Sequence, residues 1–385
     1  MLVICDYYLP GFESGGAMRT LVNMIDRLGD KFEFRVVTRD HDGPHNLASY
    51  PSVRIGEWNK VGTSEVYYLR KSEANPKNLR EIIAAEKPDA IYLNSFFSPL
   101  TVFVLGLRKL RLIPHVPVVL APEGEFSAGA IKLKGAKKQL YVSTAKLLRL
   151  LDDIVWKAAA EEERQDMIRV LGDRREIRIA ANMPPKTILD RFDLEKKPLK
   201  SSGAAKMVFL SRFARKKNFN WLLTHLKDLE GELQIDIWGP IEDEDYWRET
   251  QELIRELPPT VVIGSKGPVA HDQVAETLLQ YHFFILPTLG ENFGHVFIEA
   301  FAAGCPVITS DQTPWRQLEE KGIGWDLPFD QPQLWTAAIN ECITMNEAKY
   351  RQMAQQAHDF SVTWLADPSL ESDNREVLEL ALGQQ

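Results

Sequence analysis

Glu291-Asn292-Phe293-Gly294-His295-Val296-Phe297-Ile298-Glu299 holds two carboxylates eight positions apart. The first follows the apolar run of residues 283–288 and a turn at Leu289-Gly290. The second sits in an otherwise apolar helical run that reaches Ala303, where Gly304 is a natural stop. Pro306-Val307-Ile308-Thr309 then reads as another strand. Strand, loop, helix and strand in that order make a βαβ unit. Ligands of such units gather beyond the carboxyl ends of the strands, at the helix N-terminus. Glu291 and the backbone N–H groups of Asn292, Phe293 and Gly294 are expected at that edge. Glu299 needs a partner among its apolar neighbours. From spacing alone a polyhydroxyl ligand and an Arg elsewhere in the core serve equally well.

The same alternation runs through the chain. Strand-like runs at residues 2–5, 34–38, 90–93 and 116–120 are separated by helical patterns at 17–28, 76–86 and 98–110. A second series follows at 207–211, 233–238, 261–263, 283–286 and 307–309. Between them, residues 196–203 (Lys, Lys, Pro, Leu, Lys, Ser, Ser, Gly) have the composition of a linker. The pattern predicts an α/β protein of two doubly wound, Rossmann-like domains, 1–190 and 191–365, with a cleft between them. A last helical pattern covers 371–382.

Composition bounds the function. Of 385 residues, 44% are hydrophobic and 26% charged, which suits a globular protein of two domains. Cys5, Cys305 and Cys342 have no pairing or metal-ligand spacing. The first residues read as a strand and not as a signal peptide, and no apolar run is long enough to span a bilayer. The net charge is −8, which argues against nucleic acid as a partner. No Gly-x-Gly-x-x-Gly, P-loop or His-Glu-x-x-His pattern occurs, which weakens dehydrogenase, nucleotide-hydrolase and metalloprotease readings. Asp40-His41-Asp42 and Asp243-Glu244-Asp245 are too short to indicate a metal, and none is expected.

Four loops carry candidate chemistry. Ser211-Arg212-Phe213-Ala214-Arg215-Lys216-Lys217-Asn218 places four cations ahead of a helix expected over 219–226, with Asn218 as its N-cap. Cations there oppose the helix dipole, and a bound anion such as a diphosphate would relieve the conflict. A solvated basic loop is the other reading. Gly15-Gly16 follows the first strand and opens a helix, where backbone can approach a ligand closely. Ala121-Pro122-Glu123-Gly124-Glu125-Phe126-Ser127 follows a strand and reads equally as an acceptor loop or an ordinary exposed one. Residues 128–150 hold Lys132, Lys134, Lys137, Lys138, Lys146 and Arg149, interleaved with Leu133, Leu140, Tyr141, Leu147 and Leu148 and without an acid. That stretch suits either a solvated helix face or an anionic membrane surface.

The segment from Glu291 to Thr309 resembles the Glu-x7-Glu motif of the retaining GT-B glycosyltransferases, specifically family 4 (group 1). The resemblance implies a GT-B fold whose last helix, 366–385, crosses back onto the first domain. It implies Glu291 beside a donor sugar, Glu299 on the ribose, and the amides of Asn292, Phe293 and Gly294 on sugar and phosphate. Arg212 and Lys217 fit the family's Arg-x4-Lys element on the donor diphosphate. Gly15 and Gly16 fit its Gly-Gly pair near donor phosphate and sugar, and Pro268, after the strand at 261–263, falls beside the nucleotide base. The implied donor is a UDP-sugar, with UDP-glucose the commonest choice, bound without a metal. The implied acceptor is a cell-surface polysaccharide or a lipid-linked saccharide. The implied place is the cytoplasm, with a peripheral contact at the inner face of the plasma membrane through 128–150. Two departures stand out: Glu123 occupies a place where one branch commonly has Arg, and Ala181-Asn182-Met183-Pro184-Pro185 replaces a Pro-Asn-Gly-Val landmark. A non-catalytic sugar-nucleotide-binding protein, or a related phosphorylase or epimerase, remains the alternative.

Overall fold

The periodicities resolve, in a computed structural model, into two α/β units. The structure describes residues 1–11, 15–43, 46–132, 135–173, 175–186 and 193–383, without the side chains of Ala128, Lys132 and His271. Leu133 and Lys134 of the basic stretch, and the side chain of Lys132, therefore lie outside the described residues.

The first unit comprises Met1–Pro185 and Pro368–Gln385. Its elements are β1 (Leu2–Ile4), α1 (Gly16–Leu28), β2 (Arg35–Arg39), β3 (Trp58–Val61), β4 (Ser64–Leu69), α2 (Pro76–Glu86), β5 (Ile91–Asn94), α3 (Pro99–Lys109), β6 (Val118–Ala121), α4 (Ala128–Lys132), α5 (Gly135–Leu147), β7 (Ile154–Ala158), α6 (Glu161–Leu171) and β8 (Ile177–Ile179). The strands form one sheet in the order β3-β4-β2-β1-β5-β6-β7-β8. All neighbours are parallel except β3 and β4, a hairpin turned at Gly62. Period-two alternation divides the strand residues between two cores. Val3, Val36, Tyr92 and Val119 face one way, onto Leu21, Met24, Ile25 and Leu28 of α1. Leu2, Ile4, Leu93, Leu120 and Trp156 face the other, onto Leu79 and Ile83 of α2 and Leu100 and Val104 of α3. Helix starts follow local chemistry: Asn75 accepts from the Asn78 amide ahead of α2, and Ser98 accepts from the Leu100 amide ahead of α3, each followed by Pro at the first helical position.

The second unit is Lys186–Asp367. It holds β9 (Ala204–Leu210), α7 (Phe219–Leu223), β10 (Glu232–Trp238), α8 (Glu244–Arg255), β11 (Val261–Gly267), α9 (Val274–Leu278), β12 (Phe283–Leu286), α10 (His295–Ala302), β13 (Val307–Ser310), β14 (Gly324–Leu327), α11 (Pro332–Thr344) and α12 (Glu347–Leu365). The parallel sheet runs β11-β10-β9-β12-β13-β14. Strands β12 and β13 are buried on both faces, as a sheet covered on both sides requires. The closing helix α13 (Ser369–Ala381) buries Val377, Leu378 and Ala381 in the first unit's core. Arg27 of α1 pairs with Glu371 at 3.0 Å, and the Asn374 amide donates to the Ala181 carbonyl at 2.8 Å.

Three features differ from the sequence reading. Strands β3, β4, β7, β8 and β14 carry too few contiguous apolar residues, or too much interleaved charge, to stand out. Helix α7 ends at Leu223, and Asn218 does not cap it: Asn218 sits in the left-handed region (φ 56°) with no side-chain cap bond. The Tyr246 hydroxyl accepts from the Asn220 amide there instead, at 2.9 Å. The linker-like stretch 196–203 lies inside the second unit. Lys197 and Lys200 are buried, their ammonium groups bound to carbonyl oxygens: Lys197 to Leu278 and Tyr281, and Lys200 to Ser201, Ile343 and Met345. Polar composition resembled a solvated connector, but these lysines tie helix-end and loop carbonyls together. The Lys197 ammonium also lies 3.0 Å from the Cys305 sulfur. Lys197→Met keeps the apolar stem and strands these acceptors, so it should lower unfolding stability by about 2 kcal/mol, read as a lower urea midpoint at unchanged slope.

Candidate active site at the switch point of the second sheet

In the second sheet the strand order reverses between β9 and its neighbour β12. Loops leaving the carboxyl ends of two such strands diverge and open a crevice, the usual ligand position in this architecture. The basic loop after β9 and the Glu291 loop after β12 are these two loops. They are bolted together by the Leu289 amide, which donates to the Lys216 carbonyl at 2.9 Å, and within the second loop the Thr288 hydroxyl donates to Glu291 Oε1 at 2.7 Å. Lys217 Nζ reaches the same Oε1 at 2.5 Å. The two side chains are 12% and 13% exposed, so this is a buried ion pair and not a surface contact. Lys216 adds a second positive charge close by. Burial pushes the Glu291 carboxyl up, but Lys217, Lys216 and the two hydrogen bonds together outweigh it and hold the group below the ordinary glutamate range. Burial also pushes the Lys216 ammonium down, against the pull of Glu291.

Helix α10 begins at His295 with Gly294 in the left-handed region (φ 75°) and no side-chain cap. A Cβ on Gly294 would lie 2.6 Å from the Phe297 ring, so both conformation and space require glycine. Uncapped amides at this end, with the helix dipole behind them, favour an anion. The Phe293 side chain is buried against Trp315, Trp364 and His295, and its carbonyl accepts from the Trp315 indole at 2.7 Å. This fixes the backbone of the loop whose amides were singled out. Glu299 stands half-buried one turn into α10.

The basic loop is less uncompensated than its sequence suggested. Arg212, 46% exposed, pairs with Glu242 at 3.0 Å. Arg215 makes a two-pronged contact with Glu249 and a third with Asp243. Acidic side chains from the β10–α8 connection (Glu242, Asp243) and from α8 itself (Glu249) thus supply the negative charge that the sequence reading assigned to a ligand. Asp243 also caps α8 by accepting from the Tyr246 amide at 2.8 Å, and Asp245 pairs with Arg248. That Asp-x-Asp triplet is explained by helix chemistry. Pro268 follows β11 on an exposed corner. Sequence reasoning missed Thr288 and Glu242, and counted Lys216 among the four cations without a role beside Glu291. A hydroxyl at the end of an otherwise apolar strand run was the one available signal for Thr288.

In the first unit, the order reverses between β1 and β5. Gly15 (φ 74°) is the N-cap residue of α1, and a side chain on Gly16 would meet open space. The 121–127 loop is not a plain exposed one. The Glu125 carboxylate accepts from Ser95 Oγ and from the Phe96 and Phe97 amides at 2.6–3.1 Å. Glu123, left-handed at φ 51°, accepts from the Asn182 amide at 3.0 Å, and Asn182 in turn accepts from the buried Lys157 at 2.8 Å. Glu163 accepts from the Gly124 and Ala159 amides. Burial, with the Glu123 charge adding to it, pushes the Glu163 carboxyl up to about 7. Of the other triplet, Asp40 is held by His41 at 3.1 Å and by Ser49.

Residues 190–360 match the family described as glycosyl transferases group 1. A curated relative, the GtfA subunit of the UDP-N-acetylglucosamine–peptide N-acetylglucosaminyltransferase of Streptococcus gordonii, is 25% identical over 187 residues. That match covers 46% of this chain and 35% of the relative, so the chain spans about a third of the relative's length. Sucrose-phosphate synthase from Thermosynechococcus elongatus superposes with a TM-score of 0.72 at 17% identity, over 100% of this chain and 99% of that one. WaaG, a glycosyltransferase of lipopolysaccharide biosynthesis, gives 0.67 at 13% over 100% of both chains. Anabaena HepE in complex with UDP-glucose gives 0.68 at 16% over 98% of both. The fold is GT-B, with two parallel-sheet α/β units.

Two outcomes follow. Glu291→Gln leaves the buried Lys217 without its counter-charge and should cost about 3 kcal/mol. Because the folded pKa of Glu291 is below its unfolded value, this difference from wild type should be complete above pH ~4.5 and shrink as pH falls further. Glu163 has the opposite sign: its proton is held more tightly in the folded state. Wild-type stability should therefore fall as pH rises from about 4.5 to about 7, and Glu163→Gln should flatten that slope in a melting series.

Proposed function

We propose that this protein is a retaining glycosyltransferase that uses a nucleotide-diphosphate sugar, a reading supported by the match of residues 190–360 to the group 1 glycosyl transferases. The observation that carries the reading is the buried Lys217–Glu291 pair at the β9/β12 switch point, facing the uncapped start of α10. The chemistry needs stabilisation of a departing diphosphate more than it needs a strong base. Lys217, Arg212 and the amides of Asn292, Phe293 and Gly294 are the groups proposed to provide it, without a metal. Glu291, fixed by Thr288 and Lys217, orients the donor sugar, and Glu299 holds the ribose. Pro268 borders the base. Lys217 pairs with Glu291 and Arg212 with Glu242. A diphosphate competes for both cations, so donor binding and loop rearrangement are coupled.

UDP-glucose is the proposed donor, in line with the UDP-glucose complex of HepE. The GtfA relative makes UDP-N-acetylglucosamine the competing choice. The proposed acceptor is a growing cell-surface polysaccharide or lipid-linked saccharide. Among the described residues no helix is long and apolar enough to cross a membrane. The proposed setting is cytoplasmic, with a peripheral contact to an anionic bilayer through 128–150.

Melting scans with UDP, GDP, ADP and CMP, with and without magnesium, test the donor. UDP alone should raise the melting temperature, independently of metal. A shift confined to GDP or ADP would replace the donor, and no shift with any nucleotide would favour a non-catalytic scaffold. Lys217→Ala and Arg212→Ala should each lower kcat/KM by about 10²–10³. Glu299→Ala should act mainly on KM for the donor. Unchanged turnover in Glu291→Ala would remove Glu291 from the catalytic assignment.

A further inference from the structure

Helices α3 and α5 of the first unit end in the same way. After α3, the Arg111 amide donates to the Arg108 carbonyl and the Leu112 amide to the Leu107 carbonyl. After α5, the Arg149 amide donates to the Lys146 carbonyl and the Leu150 amide to the Ala145 carbonyl. Both are Schellman closures, whose left-handed residue is normally glycine. Here that residue is arginine each time, at φ 55°. An L-residue in that region is strained where glycine would not be. Each arginine adjoins exposed leucine: Leu110 is 69% and Leu112 44% exposed at one corner, Leu147 82% and Leu148 51% at the other. The corners are neighbours, because the Arg108 guanidinium from α3 donates to the Asp152 and Asp153 carbonyls just beyond α5. Leu140, two turns before Leu147 on α5, extends the apolar face and is also 69% exposed.

Neither feature serves the fold. Exposed leucines bury nothing, and left-handed arginines are strained. The apolar tips are accompanied by Lys109, Arg111, Lys146 and Arg149, of which Lys146 donates to the Val170 carbonyl at the surface, on a molecule whose net charge is −8. Asp152 and Asp153 are the acids beside it, and Asp152 is paired with Arg149 at 2.7 Å. We propose that these two leucine–arginine corners seat in an anionic lipid bilayer, the leucines entering the headgroup boundary and the cations meeting lipid phosphates. Apolar burial and surface charge together give stable peripheral binding where either alone is marginal. The proposal rests on the peripheral contact suggested above and relocates its centre from the 128–150 stretch as a whole to the ends of α3 and α5. Within that stretch Lys138 turns inward, over the Phe97 ring and onto the Ala130 carbonyl, and so is spent inside the protein.

Co-sedimentation of the full chain with vesicles tests it, using phosphatidylcholine alone and phosphatidylcholine with about one third phosphatidylglycerol. Binding should require the anionic lipid and weaken as salt rises. Leu110→Ser/Leu147→Ser and Arg111→Gly/Arg149→Gly should each lower the partition coefficient at least roughly tenfold. The glycine pair should do so without lowering the melting temperature, since glycine relieves the left-handed strain; a merely structural role for these arginines predicts the reverse. Equal binding to both vesicle types, or binding unchanged in both double variants, overturns the proposal. So does a concentration-dependent dimer abolished by the serine pair in a protein that binds no vesicle. Donor turnover is measured separately: vesicle binding without turnover leaves this inference standing and removes only the enzymatic reading.

Discussion

One buried ion pair organises the candidate site. Lys217 and Glu291 come from loops more than seventy residues apart in sequence, yet they meet because β9 and β12 are neighbours at the point where the strand order reverses. A lone lysine or carboxylate at such low exposure would be expensive. Each makes the other tolerable, and Thr288 and the Lys216 carbonyl lock the two loops in register. Much of the local structure answers to this constraint: the left-handed Gly294 and the inward Phe293 against Trp315 and Trp364 hold the carboxylate loop where the pair can form.

Charge is handled differently outside the crevice. Arg212 and Arg215 are paired with Glu242, Asp243 and Glu249 on the surface, where ion pairs contribute little to stability and exchange partners readily. The buried pair is therefore the stable element and the exposed pairs the adaptable ones. A similar division holds in the first unit, where Lys157, Asn182, Glu123 and Glu163 form a buried chain at the carboxyl edge of the sheet while the basic corners of α3 and α5 lie open. Glu123, which looked like an isolated departure, belongs to that chain, and Asn182 belongs to it too.

Elements with unmixed signals were legible in the sequence. Helices α1, α2 and α3 and the central parallel strands were read within a few residues, because period and capping agree there. Strands β3, β4 and β8 were not, since their interleaved charge erases the alternation. Residues 196–203 were misread because the composition of a linker and that of a buried lysine clamp are the same: what separates them is whether carbonyl oxygens are waiting around the ammonium groups.

The sequence by itself determined the α/β class, the two-unit plan and the segment that holds the candidate chemistry, because hydrophobic period and glycine placement are local properties. Only the tertiary structure decided which charges face each other. Lys217 and Glu291, Arg212 and Glu242, Lys197 and the carbonyls of Leu278 and Tyr281 are long-range pairings fixed by strand order. Electrostatic partnership depends on distance and burial in three dimensions, and neither is written in residue spacing.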